Sequence, residues 1–218
     1  VQASSSERRI ETAAPPRVFI LSPANLRGVR GRALLSGGGG QPDLEPLRQG
    51  STVPLARVYQ AISSLYFRGK LTYARRFARG MADRRPAVLT ITPSRGLVDV
   101  DAPVGLADLH ELAALEIDAA EPRYVHALRA STEALAGVLP AGGEVVLLGS
   151  LATAKYVEPL TEVLGVRLLA PRDFVGRGDM SRGGLLLRAV EAGRELEYGP
   201  VLAMPRRGTR PPRLSAKG

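Results

Sequence analysis

"RVFILSPAN", residues 17–25, holds four consecutive apolar side chains, Val18 to Leu21, stopped two residues later by Pro23. The run is too short for a helix and does not alternate in polarity, so both of its faces are expected to be buried. That is how an inner strand of a parallel sheet reads. Moving outward along the chain, "AVLTITPS" (87–94) and "EVVLLGS" (144–150) repeat the pattern, each ending in small polar residues, and "VRLLAP" (166–171) is a shorter version. Helical periodicity fills the stretches near 106–115, 121–138 and 152–164. Buried strands alternating with helices predict an α/β fold with a largely parallel or mixed central sheet flanked by helices. Segments 17–22, 87–94 and 144–150 are expected to be its neighbouring central strands.

Around this core the chain divides into a polar leader (1–16) expected to be disordered, one α/β domain (17–202) and a basic, proline-rich tail (203–218). Residues 36–54, with four consecutive glycines, read as a flexible loop. The composition is 44% hydrophobic, enough for a real core. Lys and Arg outnumber Asp and Glu by 30 to 21, a formal net charge of +9. Such a balance favours polyanions: nucleic acid first, nucleotide phosphates second, an acidic membrane surface third. An arginine-rich proteome produces the same excess with no binding role. With no cysteine, disulfides, thiol catalysis and thiolate metal sites are excluded, and His110 and His126 are too few for a histidine-rich metal site. No segment approaches the ~20 apolar residues of a membrane span, and the N-terminal stretch has no apolar signal core, so a cytoplasmic protein is expected. Walker and dinucleotide fingerprints are both absent, and no cofactor is expected.

Residues 55–79 read as one helix with Leu55, Tyr59, Ile62, Tyr66, Tyr73 and Phe77 on one side and Arg57, Arg68, Arg75 and Arg79 on the other. Eight basic residues and one acid lie between 57 and 85. A stripe of one sign suits the tracking of phosphates, although a solvent-facing helix side looks similar. Lys70 falls on the apolar side, either snorkelling outward or pointing into a site. Residues 99–121 carry seven acids and no Lys or Arg. They read as a solvated surface or an intramolecular partner of the basic helix, with Asp99 and Asp101 as paired carboxylates or Mg²⁺ ligands on spacing alone.

Ligands of parallel sheets gather beyond the carboxyl ends of the strands. Ser22, Ser94 and Ser150 each sit at or just past such an end, and together they would line a polar crevice with Asn25 and Lys155. In "DFVGRGDMSRGGLLLR" (173–188), four glycines allow close backbone approach. There Ser181 is placed to cap a following helix, and Arg177 and Arg182 to fork onto phosphate oxygens. The whole would form an anion-binding turn with Asp179 near the recognised group. A tight loop of Asp–Arg pairs is the structural alternative.

These segments resemble the YaaA family of peroxide-stress proteins. "FILSPAN" is similar to the family's "ILISPAK" opening, with Asn25 in place of its lysine. "LGSLATAKYV" is similar to its serine-x4-lysine-x-valine pattern at Ser150, Lys155 and Val157, and "RGDMSR" to its "RGLMSR" at Arg177, Gly178, Met180, Ser181 and Arg182. "TPSRGL" is a looser echo of "LSGLYG" at Ser94, Gly96 and Leu97. All four occur in the family's order, while its helix-hairpin-helix element is not recognisable. The resemblance implies a mixed α/β fold and a DNA-binding protein, DNA rather than RNA, with a role in oxidative-stress or DNA-damage protection. Phosphates would then be contacted by Arg68, Arg75, Arg79, Arg177 and Arg182, and the crevice residues would add polar contacts.

A second reading is an enzyme acting on a nucleobase or nucleotide, for example by cleaving or exchanging an N-glycosidic bond. Asn25 would read a base edge, Lys155 would bind phosphate or attack a sugar carbon, and Asp179 would stabilise positive charge on the sugar. A third is a scaffold whose basic tail binds RNA or acidic partners.

Overall fold

The computed structural model describes residues 14–38, 42–63, 65–81, 85–209 and 211. In chain order its elements are β1 (Arg17–Leu21), α1 (Val29–Leu35), α2 (Glu45–Arg48), β2 (Val53–Pro54), α3 (Leu55–Ile62) and α4 (Leu65–Phe77). There follow β3 (Val88–Thr92), β4 (Gly96–Asp99), β5 (Pro103–Val104), α5 (Leu106–Ala114), α6 (Pro122–Val138) and β6 (Glu144–Leu148). The chain then forms α7 (Ala154–Leu164), β7 (Leu168–Pro171), α8 (Asp179–Glu191) and β8 (Tyr198–Pro200).

Six strands form the central sheet in the order β4-β3-β1-β6-β7-β8, and β2 and β5 pair separately. β1 runs parallel to β3 on one side and to β6 on the other, with Phe19 opposite Val88 and Val146. β7 continues the parallel set, and antiparallel β4 and β8 close the edges. The three apolar runs are thus adjacent central strands, as their sequences predict. Val18, Phe19, Ile20 and Leu21 are fully buried, as are Val145 to Leu148. Helices on both faces of these strands account for such continuous apolar runs.

The order in which strands are added reverses at β1. The chain moves first to β3 on one side and later to β6 and β7 on the other. The segments that follow β1 and β6 therefore part, and a crevice opens beyond their carboxyl ends. The amino ends are closed by charge instead. Arg17, at the start of β1, pairs with Glu144 at the start of β6 (2.6 Å) and with Glu195 (2.5 Å). Arg79 joins the same two carboxylates at 3.5 and 3.6 Å and pairs its backbone with Arg17.

Two expectations need correction. The helix expected over 55–79 is two helices, because α3 ends at Ile62 and Ser63 is extended (φ −99°, ψ 169°). Serine competes for backbone hydrogen bonds and disfavours helix interiors. Gly69 does not break α4; it lies inside it. The loop expected over 36–54 carries α2 and β2, since Leu44 and Leu47 bury themselves three residues apart. Residues 39–41 lie outside the described residues.

Of the leader, residues 1–13 lie outside the described residues. The Pro15 carbonyl accepts a hydrogen bond from Arg79 and the Pro16 carbonyl one from the Glu144 amide. Tail residues 210 and 212–218 are likewise outside them, while Arg206 pairs with Glu158 at 3.0 Å. No helix among the described residues is long and apolar enough to cross a membrane.

Candidate active site

A cavity of about 610 Å³ opens beyond the carboxyl ends of β1 and β6. Ser22 and Asn25, from the turn after β1, line one side, and Ser150 and Lys155, from the turn after β6 and the start of α7, line another. Asp179, the first residue of α8, and Lys70, from α4, complete the polar lining beside the rings of Tyr66 and Tyr156. Five of the six residues expected in the crevice are therefore brought together: Ser22, Asn25, Ser150, Lys155 and Asp179.

Ser94 is not among them. "TPSRG" is the hairpin turn between β3 and antiparallel β4, and Thr92 accepts the Arg95 amide across it (3.2 Å). This turn directs the Ser94 hydroxyl to Glu111 of α5, to which it donates at 2.8 Å.

Lys70 is the unusual member. It is 1% exposed, yet no carboxylate pairs with it among the described residues. Its Nζ donates a very short hydrogen bond to the Ser22 carbonyl and lies 2.8 Å from the Ser22 hydroxyl. The rings of Tyr66 and Phe67 lie 4.4 and 5.1 Å from it. Burial disfavours the ammonium and lowers its pKa to about 7; Asp179 pulls the value up and Arg182 pushes it down. The sequence shows this lysine only as a misfit on an apolar helix face.

Asn25 accepts the Arg27 amide with its side-chain oxygen (3.0 Å), which leaves its amide N–H donors for a ligand. Lys155 lies at the second position of α7, its Nζ 5.2 Å from the Tyr156 ring. Burial pushes the Tyr156 phenol up to about 12, so it stays protonated and can donate. Asp179 is exposed at the positive end of α8, a favourable place for a carboxylate. Arg30, from α1, also reaches the cavity rim.

The segment read as an anion-binding turn leads into a helix, as expected, but three residues earlier than a Ser181 cap would place it. Gly178 is the cap of α8, and Ser181 lies inside the helix with its hydroxyl 3.3 Å from Arg177. Gly183 packs against α4, where a β-carbon would come within 2.9 Å of the Tyr66 Cα. Arg182 is buried, donating to the Phe174 carbonyl at 3.2 and 3.3 Å and pairing with Asp179 at 3.5 Å. Arg177 and Arg182 line a separate cavity of about 350 Å³ beside Arg206 and Arg207.

The arginine stripe is divided as well. Arg75 pairs with Asp101 (2.5 Å), and Arg79 belongs to the Glu144–Glu195 network at the amino ends of the strands, away from the cavity. Arg57 and Arg68 remain exposed and make no ion pair among the described residues. The acidic stretch acts largely as an internal partner: Asp101 meets Arg75, Asp108 and Glu111 hold Arg95, and Glu116 meets Arg27. Among the described residues no group of three or more His, Asp or Glu is arranged to hold a metal; the Asp101 carboxylate pairs with Arg75, and that of Asp99 accepts the Asp101 amide (3.0 Å). In comparisons with protein-family models, curated proteins and solved structures, nothing matches this chain.

Proposed function

We propose that the protein is an enzyme that acts on a nucleotide or nucleobase-bearing substrate, cleaving or exchanging its N-glycosidic bond in the cavity beyond β1 and β6. The observation that carries this reading is Lys70, a fully buried lysine without a carboxylate partner among the described residues, in the wall of an open polar cavity. Burying an unpaired amine opposes folding by several kcal/mol. A surface that only tracks phosphates has no use for it, whereas proton-transfer chemistry near neutral pH does.

The other groups suit the same substrate. Lys155 and Arg30 offer positive charge to a phosphate, and the Asn25 amide offers donors to a base edge. Asp179 offers negative charge to a sugar carbon that turns cationic as the bond breaks. The test is incubation with nucleosides, nucleotides and single-stranded DNA, with chromatography for free base. Wild type is expected to release base, and Asp179→Asn to lose ~10²–10³ in rate while still binding substrate. Absence of base release from every substrate, or an Asp179→Asn variant at full rate, overturns the reading.

Sequence-tolerant binding of DNA is the second reading, favoured by the net charge of +9 and by Arg57 and Arg68, which are exposed and make no ion pair among the described residues. The two are compatible if nucleic acid is the substrate.

A further inference from the structure

We infer that Ser22 is the nucleophile of this cavity and Lys70 its general base. A carbonyl oxygen only accepts, so one N–H of Lys70 is committed to the Ser22 carbonyl. In the neutral amine the nitrogen lone pair is then free to accept from the Ser22 hydroxyl 2.8 Å away. The competing acceptor for that hydroxyl, the Leu148 carbonyl, is more distant at 3.4 Å. A hydroxyl held on a neutral amine is the arrangement that turns a weak nucleophile into a strong one.

The surroundings keep the amine available. Tyr66 and Phe67 of its own helix cover it with rings, and the charged groups facing it are Asp179 and Arg182 of α8, which oppose each other. With burial the dominant effect, a large share of the lysine is neutral near pH 7. Ser22 and Lys70 both line the cavity, and Ser22 stands just past the end of the central strand β1, anchored by its backbone N–H to the Leu148 carbonyl (3.2 Å). A nucleophile on a rigid strand end is well positioned.

In the glycosidic form, which rests on the function proposed above, Ser22 Oγ bonds to the anomeric carbon as its proton passes to Lys70. The carbon–nitrogen bond breaks and its electron pair leaves with the base. Water then attacks the same carbon and the Lys70 ammonium returns its proton to the departing Ser22 oxygen. The proton lost by water neutralises the released base, so the sum is substrate plus water giving sugar and base. A free base in place of water gives exchange.

Two measurements test the pair separately from the substrate. The first is labelling of the full chain by a fluorophosphonate, located by peptide mass spectrometry. Ser22 is expected to be labelled, at a rate that rises through about pH 7 and falls about a hundredfold in Lys70→Met. Lys70→Arg, which stays charged, should not restore it. The second is acid quenching of wild type during turnover of a nucleotide with labelled free base added. A sugar adduct on the Ser22 peptide and incorporation of the labelled base are expected, both lost in Ser22→Ala.

Labelled Ser22 without base release leaves the pair standing and overturns the glycosidic reaction. Base release at wild-type rate by Ser22→Ala, with no labelling of Ser22, overturns the pair and leaves the function. Neither labelling nor base release overturns both. The labelling and adduct are read on wild-type protein, so a variant that fails to fold does not obscure the result.

Discussion

At the scale of single residues, Lys70 makes a thermodynamic statement as well as a chemical one. Burial lowers its pKa from 10.5 to about 7, so the unfolded chain binds more protons than the folded one between these values. Stability therefore rises with pH across that window. The cost of the buried charge is fully present below about pH 7 and vanishes above 10.5. Lys70→Met carries no such cost. Its stability advantage over wild type is expected to be largest near pH 6, on the order of a few kcal/mol, and to shrink steadily toward pH 10. Urea denaturation of both proteins at several pH values measures this. A gap that stays constant across the range would mean the amine is not titrating there.

At the scale of elements, α4 and α8 position the cavity lysine and aspartate, and two glycines set their separation. A β-carbon at Gly69 would lie 2.7 Å from the Gly183 carbonyl oxygen, too close for the helices to keep their places. Helix propensity alone predicts that Gly→Ala stabilises by ~1 kcal/mol. At Gly69 the clash with backbone should reverse the sign, giving a net loss of ~1–2 kcal/mol from overpacking and a displaced Lys70. Gly137, exposed in α6 with nothing near its β-carbon position, should follow propensity and gain up to ~1 kcal/mol on change to Ala. Thermal melts of the two variants decide it. Equal gains at both positions would show that α4 and α8 are not in tight contact.

At the scale of the whole molecule, the charge of +9 is unevenly available, because many arginines are matched by carboxylates of the same chain. If DNA is bound, Arg57 and Arg68 should carry more of it than Arg75 and Arg79. Arg57→Ala with Arg68→Ala is expected to lower the slope of log affinity against log salt by up to ~1.8 on duplex DNA, ~0.9 for each lost phosphate contact. Arg75→Ala with Arg79→Ala should change it less. Fluorescence anisotropy across a salt series gives both slopes. A larger effect from the second pair would restore the single stripe read from the sequence.

Much of the architecture is legible along the chain. Val18–Leu21, Val145–Leu148 and the run ending at Thr92 announce central parallel strands, because a strand covered on both faces has no reason to alternate. The serine after β1 and the polar residues after β6 are legible in the same way, since the turns beyond these two strands open onto the crevice. The edge strands β4 and β8 and the short α1 are not, being too brief for any periodicity. The roles of "RGDMSR" and of Lys70 also lie beyond a linear reading. Glycines between arginines look alike whether they cradle an anion or let a helix approach; here Gly183 meets α4 and Arg182 turns inward to Phe174. Lys70 meets Ser22 across 48 residues of chain, and its lowered pKa comes from the packing of α4 around it. Local pattern selects elements because backbone geometry is local; desolvation and pairing depend on what the other elements place nearby, and these arise when the chain closes on itself.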